Sequence, residues 1–266
     1  MIFEGLAEGG KVVIGMAHIG ALPGTPLHDA DRGMEGLVEG VLADVAALQS
    51  GGVDAILFGN ENDRPYRLAA PAASVAAMTA VVCAVKPSLT VPFGVDYLWD
   101  PVATVAIGAA TGAAFAREIF TGVFASDMGM WTPDGAGALA LRRDLGRADM
   151  KLLFNVNAEF AHPLDQRPLT LRARSAVFSS LADAVLVSGP LTGQPAELSD
   201  LAAVREAVDV PVLANTGVHI DTVADVLAIA DGCIVGTHFK RDGITWNAVD
   251  RDRVARFMDR VGTIRG

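Results

Sequence analysis

The chain has 266 residues, 51% of them hydrophobic and 20% charged, an ordinary globular composition with room for a large core. Its 31 acidic against 21 basic residues give a net charge of -10, and its four lysines are scattered, which argues against a nucleic-acid surface. Cys83 and Cys233 are the only cysteines and both sit among apolar residues, so the expectation is reduced core thiols and a cytoplasmic protein rather than a disulfide framework.

Along the chain, the N-terminal stretch with Glu4 and Glu8 has no long apolar run and does not read as a signal peptide. A continuous apolar run, Val12 to His18, reads as a strand buried on both faces, and it is followed by a loop with Gly20, Pro23 and Gly24. Met34, Leu37, Val38, Val41, Leu42, Val45 and Leu48 then recur at helical spacing up to the Gly51-Gly52 stop. The same strand-then-helix pattern repeats, with strands expected at 54–58, 91–96, 114–120, 151–157, 183–188, 210–214 and 232–235. The uncharged stretches 68–85 and 101–116 approach membrane-span length but are rich in Ala and interrupted by Pro71 and Gly112; they read as buried helices, the second running into a strand.

Eight βα units in this length predict a (β/α)8 TIM barrel of the α/β class, a single domain over 1–266. A doubly wound sheet would use the same alternation. Against it, Gly15 and Gly20 after the first strand do not give the G-x-G-x-x-G spacing.

In a barrel, reactive groups stand at the carboxyl ends of the strands. Those positions offer His18, then Asn60-Glu61-Asn62-Asp63-Arg64, then Asp96, then the pair Arg117-Glu118, of which Arg117 is expected to face inward. Asn155, Asn157 and Glu159, at i, i+2 and i+4, are expected to share one side of the fifth strand and face the mouth. The catalytic candidates are therefore His18, Glu61, Asp96, Arg117, Asn155 and Asn157. The later strands end in small-residue turns, Ser188-Gly189 to Thr192-Gly193, Asn215-Thr216-Gly217 and Gly236-Thr237, with Lys240 just beyond. Turns of this kind after the last barrel strands present backbone N–H groups to an anion, so Ser188, Gly189, Thr192, Gly193, Asn215, Thr216, Gly217, Gly236, Thr237 and Lys240 are the phosphate-binding candidates.

Two longer loops carry other signals. The stretch 121–137 combines glycines with Phe124, Met128, Met130 and Trp131, as expected of a lid or subunit contact with exposed aromatics, and a homo-oligomer is the expected assembly. Lys11 and Lys151 start strands and Lys86 lies near a helix end, which disfavours Schiff-base chemistry. No G-x-S-x-G, H-E-x-x-H or Walker A sequence is present. A divalent metal held by His18 and the scattered carboxylates is the one cofactor to consider; no cofactor is fixed by the sequence.

The opening Ile14-Gly15-Met16-Ala17-His18-Ile19-Gly20-Ala21-Leu22-Pro23-Gly24-Thr25-Pro26, Gly51-Gly52-Val53-Asp54, Asn60 with Asp63-Arg64-Pro65-Tyr66, the Ser188–Gly193 turn and Val235-Gly236-Thr237-His238-Phe239-Lys240-Arg241-Asp242-Gly243 resemble the BtpA/SgcQ family over essentially the whole chain. The resemblance implies a ribulose-phosphate-binding type of barrel. The family takes its name from a cyanobacterial factor needed to accumulate photosystem I, while other members look like parts of sugar-utilisation clusters. Where many members have Glu-Asn at the end of strand two, this chain has Gly59-Asn60 and then Glu61; where they have Lys-His after strand five, it has Glu159-Phe160, with His162 nearby.

The leading expectation is a cytoplasmic lyase or isomerase of carbohydrate metabolism acting on a small phosphorylated sugar or sugar-acid, without nucleic-acid binding or membrane insertion. A carboxylate or His18 would act as general base, and Arg117 or a metal would stabilise the developing anion. The alternative is a non-catalytic assembly or binding factor, of the kind implicated in photosystem I biogenesis.

Overall fold

The computed structural model describes residues 10–266. The stretch with Glu4 and Glu8 lies outside them. Eight parallel strands close into a barrel: β1 (Val12–His18), β2 (Ala55–Gly59), β3 (Phe93–Asp96), β4 (Phe115–Glu118), β7 (Lys151–Asn155), β9 (Ala184–Val187), β10 (Val212–Ala214) and β11 (Gly232–Val235), which pairs back onto β1. Closure excludes the doubly wound alternative, because the last strand, β11, pairs with the first, β1, and leaves none of the eight at an edge. Every expected strand is present, several of them trimmed at the ends.

Helices α1 (Gly33–Ser50), α2 (Ala72–Val85), α3 (Pro101–Thr111), α4 (Gly135–Asp144), α5 (Leu169–Ser180), α6 (Leu198–Ala207), α7 (Val223–Ile229) and α8 (Arg251–Arg265) separate or follow the strands. Their boundaries have local causes. The Asp100 carboxylate accepts from Ala103 N–H at the start of α3, Pro101 occupies its first turn, and Gly112 ends it in the left-handed conformation. The two uncharged stretches form α2 and the α3–β4 segment, and among the described residues no helix is long and apolar enough to cross a membrane.

Alternation along the strands divides the core in two. Outward residues such as Val13, Phe58, Val95 and Phe154 pack beneath the helices. Inward residues Val12, Ile14, Met16, Leu57, Phe115, Leu153, Leu186, Leu213 and Ile234 belong to a separate cluster filling the barrel. Gly94 is part of that fit: a Cβ there would lie 2.2 Å from the Phe115 ring. Cys233 is buried between the layers, whereas Cys83 is exposed on α2, so only one of the two thiols is a core group.

The 121–137 loop is a hairpin, β5 (Phe124–Ser126) with β6 (Gly129–Trp131), and β8 (Ala161–Pro163) adds to it as a third antiparallel strand. Its aromatics are not exposed as expected. Phe124 and Trp131 are buried with Trp99, Ile119 and Ala158 in a third apolar cluster, which leaves Met130 and Val123 as the exposed apolar side chains of the loop. Burial of these rings follows from the chain returning as β8, a pairing partner distant in sequence.

Candidate functional site

Carrying the inward alternation of each strand one step past its apolar residues gives one position per strand at the carboxyl end: His18, Gly59, Asp96, Arg117, Asn155, Ser188, Asn215 and Gly236. The register supports this row, with His18 opposite Gly59 and Gly59 opposite Asp96. Six apolar-to-polar switches at one height make a polar floor above an apolar barrel. A cavity of about 850 Å³, counting its open side, stands on it.

His18 and Glu61 form the first element of the floor. His18 Nε2 lies 3.5 Å from Glu61 Oε1, and both side chains are almost wholly buried. Burial, then the charge of Asp96, pushes the Glu61 carboxyl up to about 8, so it carries its proton at neutral pH. Burial, then the charge of Lys240, holds His18 well below its ordinary value, so its imidazole is neutral. The loop behind Glu61 is tied down as its polar run implied: Asn60 Nδ2 donates to Asp63 (2.9 Å), Asp63 accepts from Leu22 N–H (2.7 Å), and Asn60 Oδ1 accepts from Leu98 N–H (2.8 Å).

Arg117 is the second element, inward as expected. It donates to Asp96, reaches Glu159 at 3.7 Å, and its Nε donates to Asn155 Oδ1 at 3.4 Å. Burial works against its charge, but Asp96 and Glu159 overcome this and keep the guanidinium cationic. Glu118 does not reach a helix. It turns toward the mouth and accepts from the N–H groups of Trp99 (2.5 Å) and Ile119, and burial raises its carboxyl well above the usual range.

Several expected positions need correction. Asp96 is fully buried beneath the cavity and does not line it; it holds Arg117 and its charge raises Glu61, and burial pushes its own carboxyl up against the pull of the Arg117 cation. Asn157 does not continue the inward line, because β7 ends at Asn155 and the chain turns; its amide donates to Ser188 C=O (2.5 Å) and accepts from Ser188 N–H (2.9 Å). Ser188 lies below the cavity, its hydroxyl accepting from Asn215 (2.8 Å) and Asn155 (3.4 Å). Gly189 spends its N–H on Thr216 Oγ1 (2.6 Å), and it is glycine because a Cβ would lie 2.2 Å from Gln194 O. Lys240 is neither exposed nor at the cavity: its Nζ is 2.7 Å from Asp44 on α1, with 1% of the side chain accessible.

The remaining rim positions do line the cavity: Thr192, Gly193, Asn215, Thr216, Gly217, Gly236 and Thr237. The N–H groups of Gly193, Gly217 and Thr237 have no acceptor among the described residues, and the first two sit at φ +82° and +64°. Thr192 hydroxyl donates to Glu159 (2.6 Å), tying the rim to the Arg117 cluster. Glu159 faces the cavity, as expected of its line, and Tyr66, Glu118, Phe160, His219 and His238 also face it and were not among the catalytic or phosphate candidates. His219 and His238 directly follow the two glycine turns, a signal available in the sequence. Glu118 had none, since alternation sends it outward. His162 is exposed.

Among the described residues, no three His, Cys, Asp or Glu side chains are grouped to hold a metal ion. Of the carboxyl groups near His18, Asp96 is engaged by Arg117 and Glu118 by backbone N–H groups, whereas Glu61 meets His18 itself. Four buried atoms of this floor have no partner among the described residues: His18 Nδ1, Glu61 Oε2, Asp96 Oδ1 and Asn215 Oδ1.

The sgc region protein SgcQ of Escherichia coli, a putative assignment in its name, is 43% identical over 96% of both chains. The photosystem I biogenesis protein BtpA of Synechocystis is 32% identical, covering 93% of this chain and 86% of its own. In solved structures, thiamine phosphate pyrophosphorylase from Pyrococcus furiosus has the same barrel architecture, with a TM-score of 0.58 and 16% identity over 97% of this chain and 98% of its own. Residues 9–263 match the BtpA family, and with that match and the SgcQ likeness the chain belongs to the BtpA family.

Proposed function

We propose that the protein is an enzyme, a lyase or isomerase that moves a proton next to the carbonyl of a small phosphorylated sugar or sugar-acid. The observation that carries this reading is the His18–Glu61 pair: a neutral imidazole 3.5 Å from a carboxyl that keeps its proton at neutral pH, both buried in the cavity floor. Such a pair offers an unprotonated base beside a protonated acid, the two roles that proton abstraction beside a carbonyl needs. His18 Nε2 takes the proton from carbon, the Glu61 carboxyl gives its proton to the carbonyl oxygen, and the product is a neutral enediol. Arg117, fixed by Asp96 and Glu159, stabilises negative charge on that oxygen as it develops.

The free N–H groups of Gly193, Gly217 and Thr237 support a phosphate on the opposite rim. With Lys240 committed to Asp44, this cradle is one of backbone dipoles. Thiamine phosphate pyrophosphorylase is by its name a protein of phosphate chemistry, and its architecture is shared.

The competing reading is a non-catalytic assembly factor, after the biogenesis role in the name of the Synechocystis relative. A scaffold gains nothing from four unpaired buried polar atoms at a barrel mouth, each costing about 1–3 kcal/mol. The test is a panel of phosphorylated sugars and sugar-acids in thermal-shift experiments, followed by NMR of the stabilising compounds in D2O. The enzyme reading expects a raised Tm and deuterium at the carbon next to the carbonyl, lost in His18→Gln. Absence of any stabilising compound, with a protein partner co-purifying, would overturn it.

A further inference from the structure

Among the described residues lining the mouth, four side chains can carry positive charge: His18, Arg117, His219 and His238. Two of them are committed elsewhere. Arg117 is held by Asp96 and Glu159, and His18 faces Glu61. His219 and His238 are what remains, and neither imidazole has a hydrogen-bond partner among the described residues. By contrast, His28 and His162 each meet a backbone carbonyl, at 2.8 and 2.9 Å.

Their place in the chain sets both rings beside the anion cradle. His219 follows Gly217 by two residues and His238 follows Thr237 directly, and these are turns whose N–H groups have no acceptor among the described residues. The third turn closes on the same region: a Cβ on Gly193 would lie 3.5 Å from Thr237 Oγ1, and one on Gly217 would lie 2.2 Å from Pro195 N. The two imidazoles meet edge to face, with ring centres 5.8 Å apart and planes at 85°. Each is anchored from behind. His219 C=O accepts from Val223 N–H (2.9 Å) at the head of α7, and His238 C=O accepts from Arg253 Nε on α8 (2.7 Å). The His238 ring also packs on Phe257 of α8, with centres 5.6 Å apart. Both rings are thus half-buried in the cavity wall with their nitrogens unspent.

We propose that His219 and His238 together bind the phosphate of the substrate, sharing one proton that the protein takes up as the dianion enters. The proposal rests on the reading of the three turns as a phosphate cradle. Backbone dipoles alone give a doubly charged group no counter-charge, and Lys240 is spent on Asp44. In the empty site burial, then Arg253 and His219, push the His238 imidazole down to about 4; Arg256 on α8 acts the same way and Asp221, ahead of α7, opposes them. His238 is therefore neutral at pH 7 until an anion arrives. A dianion favours the charged form of the ring it touches, and repulsion between the two rings limits the pair to one proton. A carboxylate, with a single charge, draws that proton less strongly. The pair thus favours a phosphate monoester over the carboxylate of a sugar-acid at this rim.

The test titrates inorganic sulfate and inorganic phosphate into the protein at neutral pH, with calorimetry in buffers of different ionisation enthalpy. Sulfate keeps its charge across the neutral range, so a proton taken up with it goes to the protein. Uptake of about half to one proton per sulfate is expected, and the imidazole C–H signals of His219 and His238 should move toward their imidazolium positions in NMR. The double variant His219→Asn, His238→Asn is expected to lose the uptake and to bind at least about tenfold more weakly, a loss of ~1.4 kcal/mol, with circular dichroism as in the wild type. Anion binding without uptake, uptake retained by the folded double variant, or imidazole signals that stay in place overturns the proposal and leaves the cradle standing. Failure of both anions to bind overturns the cradle and the proposal together. Uptake as expected, with no compound of the sugar panel turned over, overturns only the lyase or isomerase chemistry.

Discussion

Glu61 reaches the barrel floor through the space that Gly59 leaves vacant: a Cβ on Gly59 would lie 2.5 Å from Glu61 Oε2 and 2.8 Å from Oε1. The inward slot of β2 is thus filled by a carboxylate two residues further along the chain. A glutamate at position 59, the pattern that many members of the family carry by resemblance, would send its carboxylate from the same slot. The difference in sequence is a relocation of the group within the floor.

The Gly59→Ala variant is expected to fold with a stability change below about 1 kcal/mol, because what yields is the far end of a flexible side chain. The displaced Glu61 carboxyl returns toward the ordinary carboxylate range, and deuterium incorporation into substrate falls. Carbon-13 NMR titration of the glutamate carboxyls checks the first effect directly.

Stability should depend on pH through Glu61. Its folded value, about 8, lies above the ordinary 4.5, so its contribution is fully present below about pH 4.5 and is lost as pH rises through about 8. The Glu61→Gln variant lacks this loss. Relative to it, the wild type is expected to lose a few kcal/mol between pH 5 and pH 8, measured by urea denaturation of both proteins at each pH.

Removing the Arg117 cation in Arg117→Met strands the buried Asp96 and is expected to cost about 3–5 kcal/mol. Adding Asp96→Asn should return part of that stability without returning activity, since Arg117 is proposed to act on substrate whereas Asp96 does not reach it. Denaturation midpoints and turnover of the double variant separate the two roles.

Lys240→Met should behave oppositely to a phosphate-binding residue. Leaving Asp44 buried alone costs about 3–5 kcal/mol, and Asp44→Leu in the same chain recovers much of it. In the double variant the affinity of the mouth for a phosphorylated ligand is expected to stay within about twofold of the wild type; a drop of tenfold or more would put Lys240 back in the cradle.

Asn157→Ala is expected to lower stability by about 1–3 kcal/mol through the two lost bonds to the Ser188 backbone. Turnover of the folded variant at low temperature should fall far less than in His18→Gln.

The barrel was legible because each strand is an apolar run of parallel-sheet type closed by a polar or glycine residue, and alternation then names the inward group. His18, Asp96, Arg117, Asn155 and Asn215 follow from that rule. It fails where the strand stops: Asn157 keeps the spacing but not the strand, because β7 ends at Asn155. It also fails for Lys240, whose partner Asp44 lies 196 positions away on α1, and for Glu118, which is drawn to two N–H groups of neighbouring chain turns. Gly189 shows the limit of reading glycine turns, since its N–H is consumed by Thr216. Each miss turns on a contact between residues distant in sequence or on where a strand ends, and neither is written in local spacing.

The small sheet over the mouth gathers Phe124 and Trp131 with Trp99, Ile119 and Ala158 in an apolar cluster separate from both barrel layers. Its cohesion is therefore local. Loosening β5, β6 and β8 alone would cost a fraction of the free energy that opening the barrel would demand. Amide exchange in this sheet would run ahead of exchange in β1 or β2.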